Sequence, residues 1–301
     1  DKRFDKMIDT WFEGELEARP SWATGVGVHA YDSRLEETSQ AAILARLSRA
    51  RQFLLEARGI EVDHLSLNRR LDQEIFVAKM LGINLDLDTI RPWERNPAFY
   101  PGVVSNGIYG LVKRDFAPID SRLMSIKARL ALVPRVFSDA RANLKNPPKV
   151  YTEIALGQTR GLVSFLRDLL PPAVAGAQDA QLKATFAQRN AAAIAEVERY
   201  AKWLETDLMA RSDGEFRIGR RAYQEKLYDD EMVSENVDAL LARGYVALAD
   251  NHRRMVEVAR RIDPSKTPEQ VLADMASVHP SEDSLLIATR AVLSKIRQFI
   301  V

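Results

Sequence analysis

The chain has 301 residues, enough to bury a substantial core without disulfide or metal staples. Its 43 Lys plus Arg and 42 Asp plus Glu are mixed along the sequence, so no basic stripe or patch marks a nucleic-acid partner. The absence of cysteine excludes disulfides, thiolate zinc sites and cysteine nucleophiles, and no apolar run approaches the roughly 20 residues of a membrane span.

In chain order, Phe4, Met7, Ile8 and Trp11 recur with helical spacing, as do Ile43, Leu47, Ala50 and Leu54, so both stretches are predicted as amphipathic helices. The segment Ser21 to Asp32 between them breaks that rhythm. Ser33 followed by Glu36 has the spacing of a capping box, which predicts a helix start there. A second irregular segment is expected from Arg91 to Phe116, rich in Pro, Gly, Trp93, Phe99, Tyr100 and Tyr109. Pro134 is read as punctuation between helices.

Leu182, Phe186, Ile194, Val197, Ala201, Leu204 and Leu208 predict one long helix from about Asp179 to Ala210. Val237, Leu241, Leu248, Met255, Ala259 and Ile262 form another stripe. Thr267-Pro268-Glu269-Gln270 supplies a cap, a Pro at the first helical position and a Gln at the third. A last helix carries Leu285, Ala288, Val292, Ile296 and Phe299 on one face and runs to Val301 without a cap. No alternating run with hairpin signals competes. The expected fold is all-α, a multi-helix array with long amphipathic helices joined by irregular Pro- and aromatic-rich loops, with little or no β structure.

Gly25-Val26-Gly27-Val28-His29-Ala30 matches the dinucleotide fingerprint only superficially, because no strand leads in and no βαβ pattern follows. Glu61 and His64 give one Glu-x-x-His without a second copy, and His29, His64, His252 and His279 lie too far apart for a helical i, i+4 pair. No metal site and no catalytic residue is therefore assigned to this chain. His252, between Leu248 and Met255, is expected to be a core histidine, and His279 to mark a helix boundary. His29 differs, because Asp32 three residues on could orient its ring and form a small polar site; the alternative is that Asp32 or Ser33 caps the next helix and His29 braces the loop.

Gly27-Val28-His29-Ala30-Tyr31-Asp32, Arg95-Asn96-Pro97-Ala98-Phe99-Tyr100, Arg129-Leu130 through Pro134 with Ala140-Arg141-Ala142-Asn143-Leu144, and Phe216-Arg217-Ile218-Gly219 with Tyr223 and Leu227 occur in succession. Together they resemble the bacterial family called domain of unknown function 885. The resemblance implies an all-helical zinc peptidase whose His-Glu-x-x-Pro-Gly-His segment and a further Glu lie in a C-terminal half. This chain contains no such segment, so none of those residues is carried over.

The resemblance and the uncapped last helix lead to one expectation: residues 1–301 are a single helical domain, the N-terminal half of a larger protein. That half would form one wall of the cleft of a zinc-dependent peptidase or hydrolase and would not be active alone. Aromatic and fixed polar groups suit that task, and His29, Asp32, Asn96, Tyr100 and Tyr109 are the candidate substrate-binding residues. No cofactor is expected in this chain, and zinc is implied only for the full-length protein. The expected partners are the missing C-terminal half and a peptide. The different-class alternative is a non-catalytic helical module that binds a protein or peptide. The Cys-free composition and the absent initiator Met favour an exported protein of the periplasm or envelope over a cytoplasmic one.

Overall fold

The strongest sequence signals lie on α-helices in the computed structural model, which describes residues 1–300. No strand occurs among the described residues, so the chain is all-α. It divides into two compact units, Asp1–Ser234 and a second beginning at Glu235.

In the first unit, α1 (Lys2–Ala18) and the short α2 (Pro20–Gly25) are followed by an antiparallel pair, α3 (Gln40–Arg58) and α4 (Leu67–Asn84). The apolar stripes of α1, α3 and α4 close on one another as a small core of Phe4, Met7, Phe53, Leu54, Phe76 and Met80. Phe76 sits at its centre with the rings of Phe4, Trp11 and Phe53 set edge-on around it. That geometry places the positive ring edge against the negative face and adds about 0.5–1.5 kcal/mol per pair beyond burial.

A π-helical turn at Leu85–Ile90 prolongs α4. Arg91 then adopts a left-handed backbone and Pro92 opens α5 (Pro92–Arg95). The larger core is built by α6 (Phe99–Lys113), α7 (Ile119–Asn143), α8 (Lys149–Ser164), the short α9 (Leu170–Ala173) and α10 (Ala180–Thr206). Asp179 caps α10 by accepting from the Leu182 N–H, and the chain passes into a 3-10 turn at Leu208–Arg211. This matches the predicted long helix. The unit ends with α11 (Arg220–Glu231), which packs on α4 where Gly82 admits the Asp230 side chain.

Three local expectations need correction. The segment from Arg91 to Phe116 is mostly helical. Pro101 is the third residue of α6, where its missing N–H leaves no helical bond unmade. Gly107 lies against Leu35, so close that a Cβ there would meet Leu35 Cδ2 at 2.3 Å. Pro134 likewise lies inside α7 rather than between helices. Ser33 and Glu36 form no capping box: α3 begins at Gln40 under Ser39, and Glu36 instead accepts from Ser21 N and Oγ.

The second unit holds α12 (Val237–Ile262), α13 (Pro268–Ser277) and α14 (Leu285–Ile300). Thr267 and Gln270 form the predicted capping box on α13. His252 is exposed rather than in a core, because the stripe it shares with Leu248 and Met255 is itself left open. Only Ala259 and Val271 are buried among the described residues of this unit.

Two phenols are sealed in the larger core. Tyr200 donates to Pro97 O, and Tyr100 donates to Trp93 O while accepting from Asn143 Nδ2. Burial, the leading cause in each case, pushes both hydroxyls above the usual tyrosine range. A raised folded-state pKa favours folding fully below the unfolded value near 10 and loses that contribution as pH climbs through the folded value. Unfolding free energy should therefore fall between about pH 10 and 11.5 more steeply in the wild type than in Tyr200→Phe, by up to about 1.4 kcal/mol per pH unit. Parallel pH profiles in urea titrations would contradict this assignment.

Candidate functional site

Between the two cores of the first unit lies a cleft of about 1400 Å³. Its walls come from α1 to α7, with Gln158 and Asp230 at the margin. One wall is aromatic. Trp22 meets Phe12 edge-on with the Arg19 guanidinium over its ring, and Trp93 is anchored by its indole N–H to Leu87 O under Arg91.

The rest of the lining is charged, and the cause is visible on the helices. Glu15 occupies the α1 stripe that also carries Phe4, Ile8 and Trp11, and it is only 6% exposed. A carboxylate there needs partners, and it accepts from Arg46 at 2.6 Å with Arg19 at 3.5 Å. Gly14 leaves a notch in which the Arg49 guanidinium lies; a Cβ would stand 1.6 Å from Arg49 Nη2. From that notch Arg49 donates to the carbonyls of Thr10 and Trp11. Opposite, Arg135 pairs with Glu37 and donates to Glu36 O. The cleft thus offers fixed charges of both signs beside flat aromatic rings, a lining suited to an extended polar chain with apolar side groups.

A second polar arrangement stands outside this lining. Gly27, at φ 88°, reverses the chain after α2, and Val28 N–H returns to Ala23 O. This brings His29 and Asp32 over Thr24. The imidazole Nδ1 lies 2.9 Å from Asp32 Oδ2, and the ring stacks on Phe116 at 3.8 Å with 9° between planes. Phe116 lies in the connection after α6, where carbonyls of the last turn of α6 (Leu111 and Val112) and of the connection itself (Arg114 and Ala117) all accept from the buried Arg122. Asp32 Oδ1 accepts from Thr24 Oγ1 at 2.6 Å, and Thr24 Oγ1 lies 2.8 Å from Nη2 of Arg129.

Of the residues singled out from the sequence, Asn96 lines the cleft, although its Oδ1 already accepts from Ala98 N–H. His29 and Asp32 pair as their spacing suggested, but away from the cleft lining. Neither Asp32 nor Ser33 caps α3. Tyr100 is completely buried and supports Trp93 from behind. Tyr109 is exposed, edge-on to Phe165 and beneath Lys113, and is not part of the lining. The residues missed were Glu15, Trp22, Arg46 and Arg49. A carboxylate on an apolar stripe beside a mid-helix glycine was the signal available for the first of them. Among the described residues, no three His, Cys, Asp or Glu side chains come together as a metal-holding group. Within the same residues no helix is long and apolar enough to cross a membrane.

A family model described as a bacterial protein of unknown function (DUF885) matches residues 20–301. Among solved structures, one from Shewanella oneidensis, described as "a putative lipoprotein of unknown function", superposes with a TM-score of 0.75 at 22% identity. The superposition covers 99% of this chain and 57% of that one, so the chain spans little more than half the length of its structural neighbour. At that identity the likeness shows the fold alone. No curated protein matches the chain in sequence.

Proposed function

From the premise that the chain belongs to the DUF885 family, we propose that it is the substrate-holding helical part of a larger peptidase-like hydrolase. The observation that carries this reading is the cleft, in which the partly exposed Trp22 and Phe99, with Trp93 buried beneath the lining, share the walls with fixed charges around Glu15 and Arg49. Aromatic rings can bury a peptide's side chains while fixed polar groups orient its backbone, which is how a site holds a reactant in a productive pose. The described residues bring no three metal-ligating side chains together, so none of them is assigned to a zinc ion. In this reading the zinc that the family resemblance implies is supplied by the remainder of the full-length protein, and no step is routed through it here.

The open apolar faces of α12 and α14 support the same reading. Leu241, Tyr245, Leu248, Leu286, Val292 and Phe299 are each more than half exposed, a surface that calls for a cover. The 43% of the neighbour's length left unmatched, the remainder after 57%, is a cover of suitable size. The neighbour's description as a lipoprotein supports a place in the cell envelope.

The test uses the full-length protein carrying this chain and an unstructured peptide mixture. Cleavage that a chelator abolishes is the expected result. Peptide binding without cleavage, with or without chelator, would favour the non-catalytic module that the exposed helix faces could equally serve.

A further inference from the structure

The polar chain from Arg129 to His29 has a direction that its chemistry enforces. Arg129 is fully buried on α7 and can only donate hydrogen bonds. One of them ends on Thr24 Oγ1, so the hydroxyl is an acceptor there and must send its single proton elsewhere. Two oxygens are in reach, Asp32 Oδ1 at 2.6 Å and Pro20 O at 3.0 Å. The shorter, charged acceptor is favoured, and Pro20 O has a second donor in Arg129. Asp32, itself 7% exposed, is an acceptor on both oxygens. The imidazole nitrogen facing it is therefore the protonated one.

We propose that Arg129, Thr24 and Asp32 are positioning residues that fix the Nδ1–H tautomer of His29, so that Nε2 is presented outward as an acceptor for a backbone N–H of a bound peptide. No partner for Nε2 occurs among the described residues, and the His29 side chain is 36% exposed. Stacking on Phe116 fixes the ring plane. Burying a guanidinium and a carboxylate is costly, and packing alone would be served as well by apolar groups. Besides tying α2 and α6 to α7, the network ends in one oriented imidazole at the surface. The peptide as ligand class rests on the function proposed above, with His29 meeting a stretch of peptide that runs beyond the cleft lining; the tautomer does not rest on it.

Asp32→Asn tests this without changing shape. If Thr24 keeps donating to residue 32, as its shorter bond there indicates, the amide oxygen faces Thr24 and the amide NH2 faces His29. Nδ1 then becomes an acceptor and the proton moves to Nε2, which turns the outward acceptor into a donor. Were Thr24 to turn its proton to Pro20 O instead, the amide could reverse, the tautomer would stay unchanged, and Thr24 would not be a positioning residue. The measurement is nitrogen NMR of labelled histidine in the whole chain, titrated with N-acetylated, C-amidated tetra-alanine, which carries backbone N–H groups and no charged ends.

The wild type should show Nδ1 protonated in the neutral ring, with the Nε2 signal moving saturably as peptide is added. Asp32→Asn should show the reversed tautomer and at least tenfold weaker binding. His29→Gln, which keeps an acceptor oxygen near the same place, should retain part of the affinity, whereas His29→Ala should not. A wild-type ring protonated at Nε2, an unchanged tautomer in Asp32→Asn, or an Nε2 signal indifferent to the peptide would each overturn the proposal. If the full-length protein cleaves peptides while Nε2 ignores tetra-alanine, this inference fails and the proposed function stands. If Nε2 responds and nothing is cleaved, the reverse holds.

Discussion

Replacing Arg129 with Met is expected to lower the unfolding free energy by about 3–5 kcal/mol, the usual cost of breaking a buried charge network by removing one partner. Arg129 lies within α7 and is completely buried. Its guanidinium donates to Gly107 O on α6 and to Pro20 O and Thr24 Oγ1 on α2. Met fills much of the volume but leaves those acceptors with fewer donors, at roughly 1–3 kcal/mol for each buried group left unsatisfied. Asp32 and Glu36 also lose the cation they face: burial lowers the affinity of Arg129 for its proton, and these two carboxylates act in the opposite sense. Arg129→Lys should recover only part of the loss, since an ammonium lacks the planar fork that spans two helices. Urea unfolding reads the effect, and a midpoint within error of the wild type would mean that α2 is held by packing alone.

A comparably large effect is expected in the second unit. In the chain as isolated, residues 237–300 should exchange their amides orders of magnitude faster than α7 and α10, and light scattering should give a mass above that of a monomer. Ordering this unit costs about 1–2 kcal/mol of backbone entropy per residue. Against that, only Val271 and Ala259 are buried among its described residues, and a fully buried Val contributes about 1.5–3 kcal/mol. Helical hydrogen bonds and the Thr267 capping box add to the favourable side but do not replace a core. Covering Leu241, Tyr245, Leu248 and Val292 is the available remedy, by self-association or by the rest of a longer protein. Slow exchange throughout α12 in a clean monomer would contradict this.

The sequence carried the helices well where side-chain periodicity was strong, as from Asp179, and where periodicity and a cap agreed, as at Thr267. It misled where Pro and Gly were taken as breaks. Pro101 falls in the first turn of α6, where no intrahelical N–H is needed, and Gly107 is a contact surface for Leu35 rather than a hinge. Periodicity also reports that a face is apolar without reporting whether anything covers it, which is why His252 was expected inside. The His29 and Asp32 pair was legible because its members are three residues apart. The chain behind it was not, since Arg129 reaches Thr24 across 105 positions. The cleft was illegible for the same reason: its walls belong to two cores assembled from distant helices, and Asn96 is the one residue anticipated there.

The claim that this cleft holds the substrate is tested most directly by peptide hydrolysis in the full-length protein with Trp22→Ala. Trp22 faces the cleft from a short helix outside both cores, so its loss should weaken binding more than folding. KM is expected to rise about tenfold, the equivalent of roughly 1.4 kcal/mol, with kcat within about twofold of the wild type. An unchanged KM, with the variant folded and active, would place the substrate elsewhere and contradict it.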